Sequence, residues 1–202
     1  KISLLTEPDL CAMDTNKLIK HWTDTLSQCT EAYLQLAEAL SIEELHQPPE
    51  AQAWSIAQIL EHLIIINETY FPILEQLKAG SYRAYWTSRI PGFANWMGQM
   101  IHQSVLPETS RKTQTFPIWE PTQATQVPNI IERFKEHQEK MINAIHSSEY
   151  LLQKNPVVSS PANKVIVYRL AKAFEIIVSH EQRHLRQAQQ LQAQLLAQRE
   201  VV

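Results

Sequence analysis

The residues in this 202-residue chain whose types and spacing best suit chemistry lie in Ser179-His180-Glu181-Gln182-Arg183-His184-Leu185. On a helix, positions i and i+4 lie one turn apart on the same side, so the two imidazoles can face one ion. Projected at about 100° per residue, Leu170, Phe174, Ile177, Ala188, Leu191 and Leu195 share one apolar arc, and His180, Glu181 and His184 fall inside it. Lys172, Glu175, Gln182, Arg183 and Arg186 project to the opposite side, which is expected to face solvent. A neutral polar group turned toward a core costs on the order of 2 to 7 kcal/mol when unpaired, so the spacing demands partners for the inward three.

Three chemistries compete for this stretch. The plainest makes both histidines hydrogen-bonded core residues. A second takes His-Glu-x-x-His as a zinc-protease helix, with Glu181 as general base and Glu200 as a downstream ligand. That chemistry needs a sheet edge to hold a peptide and a second lobe beyond the helix, and neither is expected from this sequence. A third adds His62 from an earlier helical pattern. Three neutral imidazoles on neighbouring helices, with positions left to water or substrate, form an open site for Zn²⁺, Ni²⁺ or a similar ion. Taken alone, His62 on the flank of Ile59 and Ile66 reads as a half-buried boundary histidine.

The elements that must position these groups are helical. Glycine is scarce, at three residues, and period-two alternation is nowhere sustained, so the fold class is all-α. Asp14 or Thr15 caps a first helix with the seam Trp22, Leu26, Cys29, Tyr33, Leu36 and Leu40, closed by Pro48-Pro49. Cys29 on that seam reads as a small buried hydrophobe. Ser55 and Gln58 form a capping box that opens a second helix running to about Gly80. Its core face carries Ile56, Ile59, Leu60, Leu63, Ile66, Tyr70, Leu74 and Leu77. Asn67 and Tyr70 read as structural groups or as pocket groups near the ligands.

From Ser81 to Val127 four prolines interrupt the pattern, and the stretch is too long for an ordinary bundle connection. It is expected to be an insertion with short helices, such as Phe93 to Ser104. Its aromatics, Tyr82, Tyr85, Trp86, Phe93, Trp96, Phe116 and Trp119, would staple it to the bundle or line a pocket. Arg83, Arg89, Arg111 and Lys112 against Glu108 and Glu120 give it a slight positive bias. Pro128 suits the first turn of a third helix carrying Ile130, Phe134, Met141 and Ile145, with His137 and His146 on its surface. Ser160-Pro161 suits the start of a fourth helix that reaches about Arg199. The reading is one domain, residues 1–202, with its core at about 16–199 and the insertion at about 81–127.

Composition limits the partners. Hydrophobic residues make up 44% and charged residues 19%, with a formal net charge of −3. No basic stripe appears, so no nucleic-acid partner is expected. The longest aliphatic run, Leu63 to Ile66, is far short of the ~20 residues of a membrane span. Lys1 to Met13 lacks the pattern of a signal peptide, and Cys11 and Cys29 are the only cysteines, so a reducing cytoplasm is the expected compartment.

At this point the sequence resembles a known family. Trp54-Ser55-Ile56-Ala57-Gln58-Ile59-Leu60-Glu61-His62-Leu63 looks like the second-helix signature of the DinB-like superfamily, and His180-Glu181-Gln182-Arg183-His184-Leu185-Arg186-Gln187 looks like its fourth-helix signature. The order and separation also match. The resemblance implies a four-helix bundle with a long crossover, a divalent metal ion on His62, His180 and His184, and frequent homodimers. It further implies a small-molecule substrate. Characterised relatives include low-molecular-weight-thiol S-transferases, such as bacillithiol transferases, and also mycothiol-dependent maleylpyruvate isomerases; others are called metal-dependent hydrolases. The mechanism implied is a small thiol or water, deprotonated by the ion, attacking an electrophilic centre. The alternative is a dimeric bundle that binds metal, or nothing, without turnover. Glu181, about 40° from the seam centre, is read as a ligand-orienting group, a proton acceptor, or the partner of an arginine on a neighbouring helix.

Overall fold

The computed structural model describes residues 14–50, 53–108, 115–122 and 127–199. Lys1 to Met13, with Cys11, and also Arg111, Lys112 and Glu200 lie outside the described residues.

Four helices carry the core: α1 (Thr15–Glu38), α3 (Ile56–Glu68), α6 (Ile130–His146) and α8 (Leu170–Arg199). The described residues also form α2 (Ile42–His46), α4 (Phe71–Lys78), α5 (Phe93–Val105), α7 (Glu149–Lys154), two 3-10 turns (Trp86–Arg89 and Pro117–Trp119), β1 (Val157–Ser159) and β2 (Val167–Arg169). Helix α1 packs on α6 and α8, and α3 packs on the same two, which closes a ring around the core. Trp22, Leu26, Cys29, Tyr33 and Leu36 are buried along α1 in the alternating steps that knobs-into-holes packing requires.

Several boundaries differ from the sequence reading, each for a local reason. The first helix stops at Glu38, and Ser41 with Glu44 forms a capping box that starts α2 before Pro48 is reached. The second helix is not continuous to Gly80. It breaks at Thr69 and Tyr70, because Pro72 has no N–H for an intrahelical bond, and α4 restarts from there. The third helix begins at Ile130 after Asn129 turns left-handed at φ 51°, so Pro128 precedes it rather than opening it.

Ser160-Pro161 does not open the fourth helix. Val157 to Ser159 instead pair antiparallel with Val167 to Arg169, Val158 opposite Tyr168, and α8 starts at Leu170. Val158, Val167 and Tyr168 are buried, so this three-residue pair closes one end of the core. The expectation of no sheet fails there, although the chain remains all-α in class.

The side of α8 expected to face water is covered. Helix α5 lies against α8 and β2, and Lys172, Glu175 and Gln182 are buried. Lys172 and Glu175 pair with each other under α5, Lys172 Nζ 3.1 Å from Glu175 Oε2, and beside them His102 Nε2 of α5 is 3.0 Å from Ser179 Oγ. The close approach depends on Gly98, where an added Cβ would stand 2.9 Å from Lys172 Cγ and 3.0 Å from Tyr168 Cβ. Among the described residues, no helix is long and apolar enough to cross a membrane.

Candidate metal centre

Helix α3 delivers His62 from a fixed start. Ser55 Oγ accepts the Gln58 N–H at 3.2 Å while Gln58 Oε1 accepts the Ser55 N–H at 3.1 Å, which satisfies two donors of the first turn. His62 follows one turn later, facing the middle of α8. There His180 and His184 project side by side, as their i, i+4 spacing dictates.

The three rings converge. Nε2 of His180 and Nε2 of His184 are 3.0 Å apart. The His62 ring centroid lies 5.3 Å from that of His180 and 5.0 Å from that of His184. One ring nitrogen from each residue falls within 4.8 Å of the other two. Two nitrogens held about 2.05 Å from a tetrahedral ion stand about 3.3 Å apart, so the pair on α8 is already close to ligand spacing. His62 and His184 are buried and His180 is half-buried.

Outer contacts set the tautomers. His62 Nδ1 lies 2.6 Å from the carbonyl oxygen of Trp119, which can only accept, so Nδ1 carries the proton and Nε2 keeps its lone pair. His184 Nδ1 lies 3.0 Å from Gln187 Oε1, which in this orientation is an acceptor for an Nδ1–H. Metal-ligating histidines ordinarily donate their second N–H to such an acceptor. The Trp54 ring, 4.6 Å from His62 and 6.5 Å from His184, forms an aromatic wall beside both.

The rings are neutral at pH 7. Burial lowers His62 from 6.5 to about 4, against the raising effect of the Trp119 carbonyl. Burial, followed by the nearby His62, takes His184 down to about 3. His180 lies well below its ordinary value, first through burial and then through His184 and His62. Neutral imidazole is the form that binds a metal.

Glu181 turns into the bundle. Its Oε1 accepts from Asn67 Nδ2 and from Gln138 Nε2, each at 2.8 Å, while Oε2 has no hydrogen-bond partner among the described residues. Burial raises the carboxyl to about 7, and the Gln138 and Asn67 amides oppose that rise. Its side-chain partners are therefore amides on α3 and α6, not imidazoles or an arginine. Cys29 is buried, and burial, with the Glu181 charge adding, pushes its thiol up to about 12. Tyr70 is structural, with its hydroxyl 2.6 Å from that of Tyr168.

Three supporting groups escaped the sequence reading. Gln138 was legible in principle, since it sits four residues after Phe134 and three before Met141, in step with the apolar stripe. Gln187 lies one turn beyond His184. The Trp119 carbonyl is backbone and carries no side-chain signal. His137, expected on the surface of the third helix, is buried at 2% exposure, its ring 5.8 Å from that of Phe71 on α4; His146 is exposed. Of the insertion aromatics, Tyr82 is a staple, its hydroxyl accepting the Ser159 N–H at 2.8 Å, whereas Trp86 and Trp96 are each 59% exposed.

A family model described as the DinB superfamily matches residues 25–188. No curated protein and no solved structure gives a significant match.

Proposed function

The chain belongs to the DinB superfamily, and on that premise we propose that it is a metal-dependent transferase acting on a small molecule, with His62, His180 and His184 holding a divalent ion. The observation that carries the metal is the convergence of three neutral ring nitrogens within 4.8 Å of one another. An all-imidazole donor set suits zinc or nickel. A divalent ion bound there supplies Lewis acidity, which favours the deprotonated form of a small thiol at neutral pH.

The chain's own residues prepare that step. The Trp119 carbonyl fixes the His62 tautomer, and Gln187 Oε1 stands as an acceptor beside His184 Nδ1, so both rings are supported in the form that leaves Nε2 to bind. Trp54 covers one side of the rings, and the partly exposed His180 edge is the approach for substrate. Cys29, 1% exposed with its thiol raised to about 12, is unsuited to be the nucleophile, which favours an external low-molecular-weight thiol as cosubstrate. In the transfer, the thiol proton passes to solvent, the new S–C bond forms, and the electrophile's leaving group departs with its electron pair. The homodimer that the family likeness implies has apolar surface available at Trp86 and Trp96, and light scattering tests it.

Conjugation of a haloalkyl bimane with several small thiols tests the reaction. Conjugation that requires metal and is lost in His184→Ala is the expected result. Absent or metal-independent conjugation contradicts thiol transfer.

A further inference from the structure

The segment at residues 115–122 reaches the three histidines through its backbone, by the Trp119 carbonyl on His62 Nδ1. The residue three positions later is gripped by the same helix that carries His62. The Thr122 N–H donates to Glu61 Oε2 at 2.8 Å, and Gln58 Nε2 donates to the Thr122 carbonyl at 2.9 Å. Gln58, Glu61 and His62 belong to one turn and a little more of α3, so a single stretch of helix presents both the ligand and the clamp on its supporting segment. Glu61 is only 7% exposed, and its other oxygen lies 3.6 Å from the Arg133 guanidinium of α6. A carboxylate this buried is costly unless its hydrogen bonds are made, and a bond from a backbone N–H to a carboxylate is among the stronger ones.

We propose that Glu61 is a positioning residue for the metal centre: by clamping Thr122 it seats the Trp119 carbonyl on His62 and so locks His62 in the tautomer that leaves Nε2 free to bind. The inference rests on the three-histidine reading above. Since the carbonyl itself cannot be removed by substitution, Glu61 is the side chain through which its placement is tested.

The experiment uses the full chain with Glu61→Ala and Glu61→Gln. Long-range proton–nitrogen correlation spectra of the metal-free protein report the His62 tautomer, and competition of Zn²⁺ against a chromophoric chelator reports affinity. Wild type is expected to hold His62 as Nδ1–H. Glu61→Ala is expected to mix the tautomers and weaken Zn²⁺ binding by about 10- to 100-fold. Glu61→Gln, which keeps an acceptor for Thr122 and covers the case in which the alanine variant does not fold, is expected to shift both readouts in the same direction by less. A His62 tautomer unchanged from wild type in both variants overturns the proposal. A wild type that binds no Zn²⁺ overturns the three-histidine reading instead, and the tautomer spectra still decide whether Glu61 positions the ring.

Discussion

Asn67 on α3 donates its side-chain amide to Oε1 of Glu181 on α8 across 2.8 Å, inside the core and one residue away from His180. Gln138 adds a second amide from α6, so three helices meet on one carboxylate oxygen. The residue that sequence motifs offer as a general base is thus the hub of an interior network.

That network makes Glu181→Ala costly. Two buried amides lose their acceptor, and a loss of about 2 to 4 kcal/mol is expected in urea or thermal unfolding. Glu181→Gln is expected to retain stability, because its oxygen still accepts both amides and its new amide can face the unpartnered Gln138 Oε1. Both variants are expected to keep the metal. Loss of metal from a well-folded Glu181→Gln would instead assign the carboxylate to the ligands.

His137 gives a pH dependence with a defined sign. Neither ring nitrogen has a hydrogen-bond partner among the described residues, and burial, with Lys140 adding, lowers it from 6.5 to about 4. The unfolded chain takes up this proton near 6.5 and the folded chain only near 4, so between those values the unfolded state binds more protons. Stability is therefore lost as pH falls through that window, by up to about 3 kcal/mol from this residue. His137→Leu is expected to flatten the decline of the urea midpoint between pH 6.5 and 4. An unchanged slope would show that His137 does not contribute.

How far the sequence carried can be judged from these same residues. The α1 seam, the Ser55 capping box and the His180, His184 pair are periodic or local signals, and local physics is enough to produce them. His62 was ambiguous by itself, since a position on the flank of a helix becomes a ligand only when another helix brings partners to it. Lys172, Glu175 and Gln182 were misread because a helical projection separates the two sides of α8 but does not show that α5 returns to cover the second. Three-residue strands such as Val157 to Ser159 are too short for a period-two pattern. Tertiary placement by backbone, as at Trp119, leaves no mark on residue identity.

Gly98 marks the tightest part of that covering. Gly98→Ala places a methyl against Lys172 Cγ at 2.9 Å and Tyr168 Cβ at 3.0 Å, so α5 must move away from α8 or Lys172 must leave its place beside Glu175. A destabilisation of about 1 to 3 kcal/mol is expected, with faster amide exchange concentrated in α5. Wild-type stability and exchange would mean that the seam is looser than its geometry.

Gln187→Ala removes the acceptor of the His184 Nδ1–H while leaving every ring in place. Metal affinity is expected to fall about 10-fold, with helix content and the metal-free melting temperature unchanged. An isothermal titration with Zn²⁺ separates that result from equal affinity, which would limit Gln187 to a surface role.

The central claim is that His62, His180 and His184 hold a metal ion, and the most direct measurement is the metal content of protein purified without a histidine tag. Close to one zinc or nickel ion per chain is expected in wild type, with only trace metal in a folded His184→Ala variant. The same sub-stoichiometric trace in both proteins would contradict the three-histidine site.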